Sequence, residues 1–424
     1  MKILLTTVAA VCGLSLVVDP GLAQTWTQTS APTNYWQSIA SSADGSKLVA
    51  AVSYNSAGSG IYTSTNSGAT WALNNLPIGP PYGGSWESVA SSADGSKLVA
   101  AAFEYGIFIS TNSGVDWIQT SAPTNSQAPK DSNGLWGSVA SSADGSILVA
   151  SVGQAFNYVG PIYVSTNSGA TWTQTSAPTN NWVCVASSAD GRKLVAAVCY
   201  GRVYTSADTG VTWTQTSLPY TNWISVASSA DGDKLVAANA YPFSGVSSLS
   251  CIYSSIDSGV TWTAHIPPFN RTSWQEVVSS ADGMKLVAVA QDPDAYEFSI
   301  YTSTDLGTTW MSNNAPFQVY CCVASSADGG KLVAGSVGDP YNPQGGGIYT
   351  LQTTPAPQLN LAPSGSNLTV SWIIPSTNFV LQQSSYLTSW ADVTNPPTFD
   401  LTNLQDEVVL SPTNSSSFYR LKTP

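Results

Sequence analysis

The phrase Ser-Ser-Ala-Asp-Gly recurs seven times along the chain, with its aspartate at Asp44, Asp94, Asp144, Asp190, Asp231, Asp282 and Asp328. The spacings are 50, 50, 46, 41, 51 and 46 residues. A unit of that size cannot bury an apolar face alone, so neighbouring units must stack on one another. Each phrase is followed by Leu-Val-Ala, as at Leu48-Val49-Ala50 and Leu235-Val236-Ala237, and then by a hydrophobic pair such as Ile61-Tyr62, Ile107-Phe108 or Ile252-Tyr253. Short apolar runs between Gly-rich and Ser-rich turns read as strands. Ala-Asp-Gly between two of them reads as a hairpin, because Asp and Gly accept the positive φ of a tight turn. About four strands per unit is the arithmetic of a β-propeller blade.

A second motif follows the third strand. It is seen as Ser64-Thr65-Asn66-Ser67-Gly68-Ala69-Thr70-Trp71, at Ser110 to Trp117 and at Ser165 to Trp172. Ser206 to Trp213, Ser255 to Trp262 and Ser303 to Trp310 carry Asp208, Asp257 and Asp305 in its third place. The Asn or Asp side chain can bond backbone N–H groups of its own turn, Gly takes the left-handed conformation, and Trp buries a large surface between sheets. The motif resembles the Asp-box, Ser-x-Asp-x-Gly-x-x-Trp, of the sialidase-like BNR-repeat β-propeller superfamily, over residues 24 to about 352. The resemblance implies that the box is a blade-edge scaffold turn, on the face away from that family's active site.

The seventh unit keeps Ile348-Tyr349-Thr350, but Leu351-Gln352-Thr353-Thr354 supplies neither box nor Trp strand. The missing strand stands at the other end of the chain, where Thr25 to Pro32 repeats Thr171 to Pro178 residue for residue. The expected fold is therefore all-β: a seven-bladed β-propeller over residues 24–352, closed by the N-terminal strand. Thr353-Thr354-Pro355-Ala356-Pro357 reads as a linker. The rest of 353–424 reads as a small C-terminal β-sandwich, from Leu368 to Trp372, Phe379 to Leu381, Val408 to Leu410 and Phe418 to Leu421.

Residues 1–23 read as a signal peptide, with Lys2, an apolar run from Ile3 to Val18 and Gly21-Leu22-Ala23 as the cleavage site. The expectation is a secreted or periplasmic protein with no membrane insertion, since no other run reaches the ~20 apolar residues of a spanning helix. Lys and Arg number 13 against 25 Asp and Glu, a net charge of −12 that disfavours nucleic acid. A single histidine, His265, argues against multi-His metal sites and His-based triads, and before Ile266-Pro267-Pro268 it reads as a loop residue. No cofactor and no metal are expected. Of six cysteines, Cys12 lies in the signal. Cys184 and Cys199 flank the Asp190 turn and are a disulfide candidate, whereas Cys321 and Cys322, adjacent on a strand, are expected to point oppositely with no bond between them.

The Ala-Asp-Gly and box turns share one face, so the non-repeating loops share the other, where binding on a repetitive scaffold usually resides. Trp36, Trp86, Trp136, Trp182, Trp223, Trp274 and Tyr320 enter the innermost strands from that face. They are candidates to ring the channel mouth and stack on sugars, although inter-blade packing explains them more simply because they recur with the repeat. A sialidase would need three arginines on a carboxylate. The chain has only Arg192, Arg202, Arg271 and Arg420, of which Arg192 lies in a turn on the wrong face and Arg420 in the C-terminal module. A glycoside hydrolase needs only two acids, and Glu104, Asp292, Asp294, Glu297 and Asp339 are its candidates. In size the chain is also similar to the single-propeller photosystem II assembly factor family and its bacterial homologues, which implies protein binding. The leading expectation is a monomeric, non-enzymatic binder or scaffold for a glycan or protein, with a carbohydrate-active enzyme as the alternative.

Overall fold

Leu-Val-Ala lies at the heart of each repeat because it is apolar on both faces, and a strand sandwiched between two packed sheets must be. Leu48–Val52, Leu98–Ala102, Leu148–Val152, Leu194–Val198 and Leu235–Asn239 are buried at every residue. In the computed structural model these strands are the second of four in successive antiparallel sheets. Residues 26–422 are described, apart from 54–59, 78–84, 104, 124–135, 154–158, 241–249, 267–272, 293–296, 338–344, 353–358, 365–366, 374–379, 385–389, 401–404 and 411–417. The signal expectation for 1–23 falls outside them.

The first sheet runs Trp36–Ser41, Leu48–Val52, Gly60–Ser64 and Ala72–Leu73 in sequence order. Five more sheets repeat that order, with innermost strands Trp86–Ser91, Trp136–Ser141, Trp182–Ser187, Trp223–Ser228 and Ser273–Ser279. The seventh contains Tyr320–Ser325, Lys331–Ser336 and Ile348–Gln352, and takes Thr27–Gln28 as its fourth strand. Thr27 pairs with Thr350 and Gln28 with Tyr349, and Trp26 is buried with Tyr320, Tyr349 and Leu351. The described residues are all-β, without helix.

Backbone hydrogen bonds link successive hairpin turns into a circuit. Ala43 N donates to Ala93 O (2.7 Å), and the same bond steps through Ala143, Ala189, Ala230, Ala281 and Ala327, whose N–H returns to Ala43 O (2.8 Å). Within each turn the aspartate is an internal acceptor: Asp44 Oδ1 takes the Ser42 hydroxyl (2.6 Å) and Ser46 N–H (2.9 Å). Burial works against ionisation there, but the bonds from Ser42 and Ser46 outweigh it and hold the carboxyl below its usual range. Gly95, at φ +65°, has two reasons to be glycine, since a Cβ there would also come within 2.7 Å of the Lys47 stem.

The second motif forms a tight turn of its own. Ser110 Oγ accepts Gly114 N–H (2.9 Å), Asn112 Oδ1 accepts Asp116 N–H (2.9 Å) and Trp117 Nε1 donates to Gly114 O (3.1 Å). With aspartate in the third place the bonds are equivalent: Asp208 accepts Thr212 N–H (2.8 Å) and its hydroxyl (2.6 Å). The Oδ1 acceptor is common to both residues, while the second atom differs. Asn66 and Asn167 donate to the hydroxyls of Thr70 and Thr171, Asp208 accepts from that of Thr212, and Asn112 donates to the Asp116 carboxylate, where an aspartate would meet a like charge.

The C-terminal segment forms two further sheets. One contains Asn360–Ser364, Asn367–Ile373, Gln405–Leu410 and Thr398–Asp400, and the other Ala391–Asp392, Val380–Ser384 and Phe418–Lys422. Val370, Trp372, Leu381, Val408 and Leu410 form one buried cluster drawn from both.

Candidate functional site

The innermost strand of every sheet begins at the repeating aromatic and immediately breaks its ladder. Trp36 pairs with Val52 and Ser38 with Ala51, so Gln37 and Ser38 together oppose a single residue. The same bulge follows Trp86, Trp136, Trp182, Trp223, Trp274 and Tyr320. The extra residue turns the next side chain onto the neighbouring sheet. Ser38 Oγ accepts Val89 N–H, Ser88 that of Val139, Ser138 that of Val185 and Ser225 that of Val277, each at 3.1 Å.

The burial of the repeating aromatics removes the sugar-stacking reading and leaves the packing one. Trp36, Trp86, Trp136, Trp182, Trp223, Trp274 and Tyr320 are at most 1 % exposed, so none offers a face to a sugar. Each packs edge-on against the third-strand aromatic, as Trp36 does on Tyr62 (5.3 Å) and Trp182 on Tyr204 (5.4 Å). They are inter-sheet packing residues.

The other candidates divide. Glu104, Asp294 and Asp339 lie outside the described residues. Asp292 and Glu297 are register partners at the end of the hairpin formed by Leu286–Asp292 and Glu297–Ser303, so two carboxyl-bearing residues stand opposite one another there. The Cys184–Cys199 disulfide is corrected: both thiols are free. The regular register running back to the turn sets Cys184 opposite Ala197, while Cys199 N–H bonds Asn181 O. Cys184 Sγ turns to Val226 O (3.7 Å) and Cys199 Sγ to Asn222 Oδ1 (3.3 Å), and burial pushes the Cys184 thiol up to about 11.

His265 is also corrected, from loop to the outer strand Thr263–His265. Its Nε2 is 2.7 Å from Ser254 Oγ, and burial lowers its pKa, against a smaller opposing pull from Asp305. This Ser–His contact is not an exposed nucleophile. Ser254 is 5 % exposed, and the Asp305 carboxylate is engaged by Ser303 and Thr309.

Two further non-repeating acids stand on the innermost strands. Glu276 occupies the bulge position that is serine in four other sheets, and its Oε2 accepts Val323 N–H at 2.6 Å. Burial raises its pKa to about 8, which makes it a neutral acid at neutral pH. Glu87, next to the bulge serine of the second sheet, accepts from Gln37 Nε2 (3.3 Å) and is raised by burial against a hydrogen bond from Ser85. Glu276 departs from the repeating Trp-x-Ser-Val-Ala-Ser at its serine, whereas Glu87 occupies the variable second place and carries no such signal. At the turn end the innermost strands surround a cavity of about 170 Å³, lined by Ser-Ser-Ala of the repeats. That lining holds no ionisable side chain. Among the described residues no cluster of three or more His, Cys, Asp or Glu is placed to hold a metal ion, and no helix is long and apolar enough to cross a membrane.

Comparison with protein families finds no family that matches this chain, and no curated protein matches it either. Solved structures do. YCF48 from Cyanidioschyzon merolae superposes with a TM-score of 0.56 at 12% identity, over 78% of this chain and 99% of that one. YCF48 bound to a D1 peptide gives 0.54 at 14%, over 78% and 97%, and U3-55K gives 0.57 at 10%, over 77% and 98%. At such identities the likeness carries the fold alone, and that fold is a β-propeller.

Proposed function

We propose that this chain is an exported, non-enzymatic binding or scaffold protein of the Asp-box kind. In this reading the seven repeating sheets are the blades of a propeller closed by the N-terminal strand, and the C-terminal sheets are a small β-sandwich. The pairing of Thr27–Gln28 with Ile348–Gln352 and the returning Ala327-to-Ala43 hydrogen bond support closure. A glycan or protein ligand binds at the non-repeating loops. The carrying observation is how completely the repeating polar residues are committed: turn aspartates and box residues bond their own turns, and Ser254, held by the half-buried His265, is itself buried. Chemistry on such a scaffold falls to whatever the loops present. One similar structure is of a protein bound to a peptide, which favours including peptides among the ligands tested.

A second reading, glycoside hydrolysis by loop carboxylates, is favoured by the register pairing of Asp292 with Glu297. Purified protein applied to glycan and peptide arrays, with aryl glycosides assayed in parallel, separates the two. Binding without turnover is expected. Turnover abolished by Asp292→Asn or Glu297→Gln would overturn the non-enzymatic reading.

A further inference from the structure

The seventh sheet departs from the other six at its bulge. The paired bulge residues of the others are Gln37-Ser38, Glu87-Ser88, Gly137-Ser138, Val183-Cys184, Ile224-Ser225 and Gln275-Glu276, with at most one thiol, whereas the seventh carries Cys321-Cys322. The expectation that these two point oppositely is corrected by the bulge. Both oppose Gly335, and both pack on the first sheet's core around Trp36. Cys321 Sγ is 2.6 Å from Trp36 O and 3.6 Å from Gly335 O, and the Cys322 thiol is hydrogen-bonded to Cys321. A Cβ at position 335 would lie 2.6 Å from Cys322 Sγ. The other sheets carry Ala, Ser or Val at the residue facing the bulge, so glycine here leaves the space that the Cys322 sulfur and the Trp36 side chain fill.

We propose that Cys321 and Cys322 form a redox-active dithiol, a modification site that closes to a disulfide between adjacent residues by exchange with a low-molecular-weight disulfide. Cys321 is partly exposed and Cys322 fully buried, so the first attack falls to Cys321. Its thiolate displaces one thiolate from the small disulfide and leaves a mixed disulfide. The Cys322 thiolate then attacks Cys321 Sγ and expels the second. The two protons from the cysteines pass through solvent to the two leaving thiolates, so two protein thiols are oxidised as one small disulfide is reduced to two thiols. Because the pair abuts Trp36, its state is read at the junction of the seventh and first sheets.

The test is incubation of the intact protein with oxidised glutathione, followed by alkylation in denaturant and peptide mapping. The peptide containing Cys321 and Cys322 is expected to lose the mass of two hydrogens, retain no glutathione and resist alkylation until reduced. Cys322→Ser is expected to trap glutathione on Cys321, and Cys321→Ser to leave Cys322 unmodified. If both thiols stay alkylatable while dithiothreitol in the same buffer is oxidised, the proposal fails. A stable glutathione adduct on wild-type Cys321 equally overturns it, because it would show that Cys322 cannot resolve the intermediate.

Discussion

Replacing Glu276 with glutamine should convert a pH-dependent stability into a flatter one. The folded-state carboxyl titrates at about 8, raised by burial from an ordinary value of 4.5, and it is the acceptor for Val323 N–H. Below pH 4.5 it is protonated in both folded and unfolded chains and contributes no pH dependence. Above that value the unfolded chain releases the proton while the folded chain keeps it, so stability falls as pH rises, by about 1.4 kcal/mol per unit. Through pH 8 the accumulated cost reaches about 5 kcal/mol if the site stays dry, and it levels off above. Water reaching the carboxylate would reduce it. Glutamine keeps an oxygen for Val323 N–H and never ionises. Cys184 and Cys322 respond to the Glu276 charge, and both are raised by their surroundings and neutral across this window. The turn carboxylates Asp44, Asp94 and Asp144 have depressed values, so their contribution is present at higher pH and lost in acid, in both proteins alike. They cancel in the difference. Urea denaturation of wild type and Glu276→Gln at half-unit steps from pH 4 to 9 should show near-equal stability at pH 4.5 and a growing advantage for glutamine up to pH 8. A difference that does not change with pH, or that favours the wild type as pH rises, would falsify the assignment of Glu276 as a buried neutral acid.

Truncating Trp26 to alanine removes a side chain only 8 % exposed and should cost about 3–5 kcal/mol, read as a fall in urea midpoint. Deleting the N-terminal strand should cost more and produce aggregation, whereas removing as many C-terminal residues should leave the main transition in place. Gly335→Val drives a side chain into Cys322 Sγ and the Trp36 Cβ, the latter 3.0 Å from an ideal Cβ, and should destabilise by about 1–3 kcal/mol in the same assay. Ser110→Ala strips the acceptor from the buried Gly114 N–H and should cost about 1–3 kcal/mol, while Ser121, whose exposed hydroxyl bonds Ala170 O, should tolerate alanine with little change in midpoint.

Much of this was readable from the chain because the repeat is dense. The Ser-Ser-Ala-Asp-Gly turn and the apolar runs after it carry their own geometry, and Thr25 to Pro32 advertises the strand missing after Tyr349 through plain identity with Thr171 to Pro178. The bulge was not readable. A strand of period two puts Cys321 and Cys322 on opposite faces, and one inserted residue reverses that inference. Cys184 and Cys199 fail to pair for a different reason, because the register running back to the turn already sets Cys184 opposite Ala197. Nor does a recurring aromatic say whether it is recurring because it binds or because it packs; only the burial of Trp36 and its equivalents decides that. His265 was misread because Ile266-Pro267-Pro268 announces a loop one residue after the strand ends.

The departures from the repeat are more informative than the repeat itself. At the second bulge residue a short hydroxyl suffices to hold the next strand's N–H, and Ser38, Ser88, Ser138 and Ser225 do so at one common distance. Glutamate makes the same bond in the sixth sheet while burying an ionisable group, and cysteine in the fourth and seventh sheets replaces a good acceptor with a poor one. Each exchange gives up stability that serine would supply. Packing offers no return for the Glu276 carboxyl, because glutamine would fill the same space without the ionisation cost. The sixth and seventh bulges are therefore where chemistry beyond scaffolding would be sought on the innermost strands, and the pH series on Glu276 with the thiol mapping at Cys321-Cys322 interrogates both.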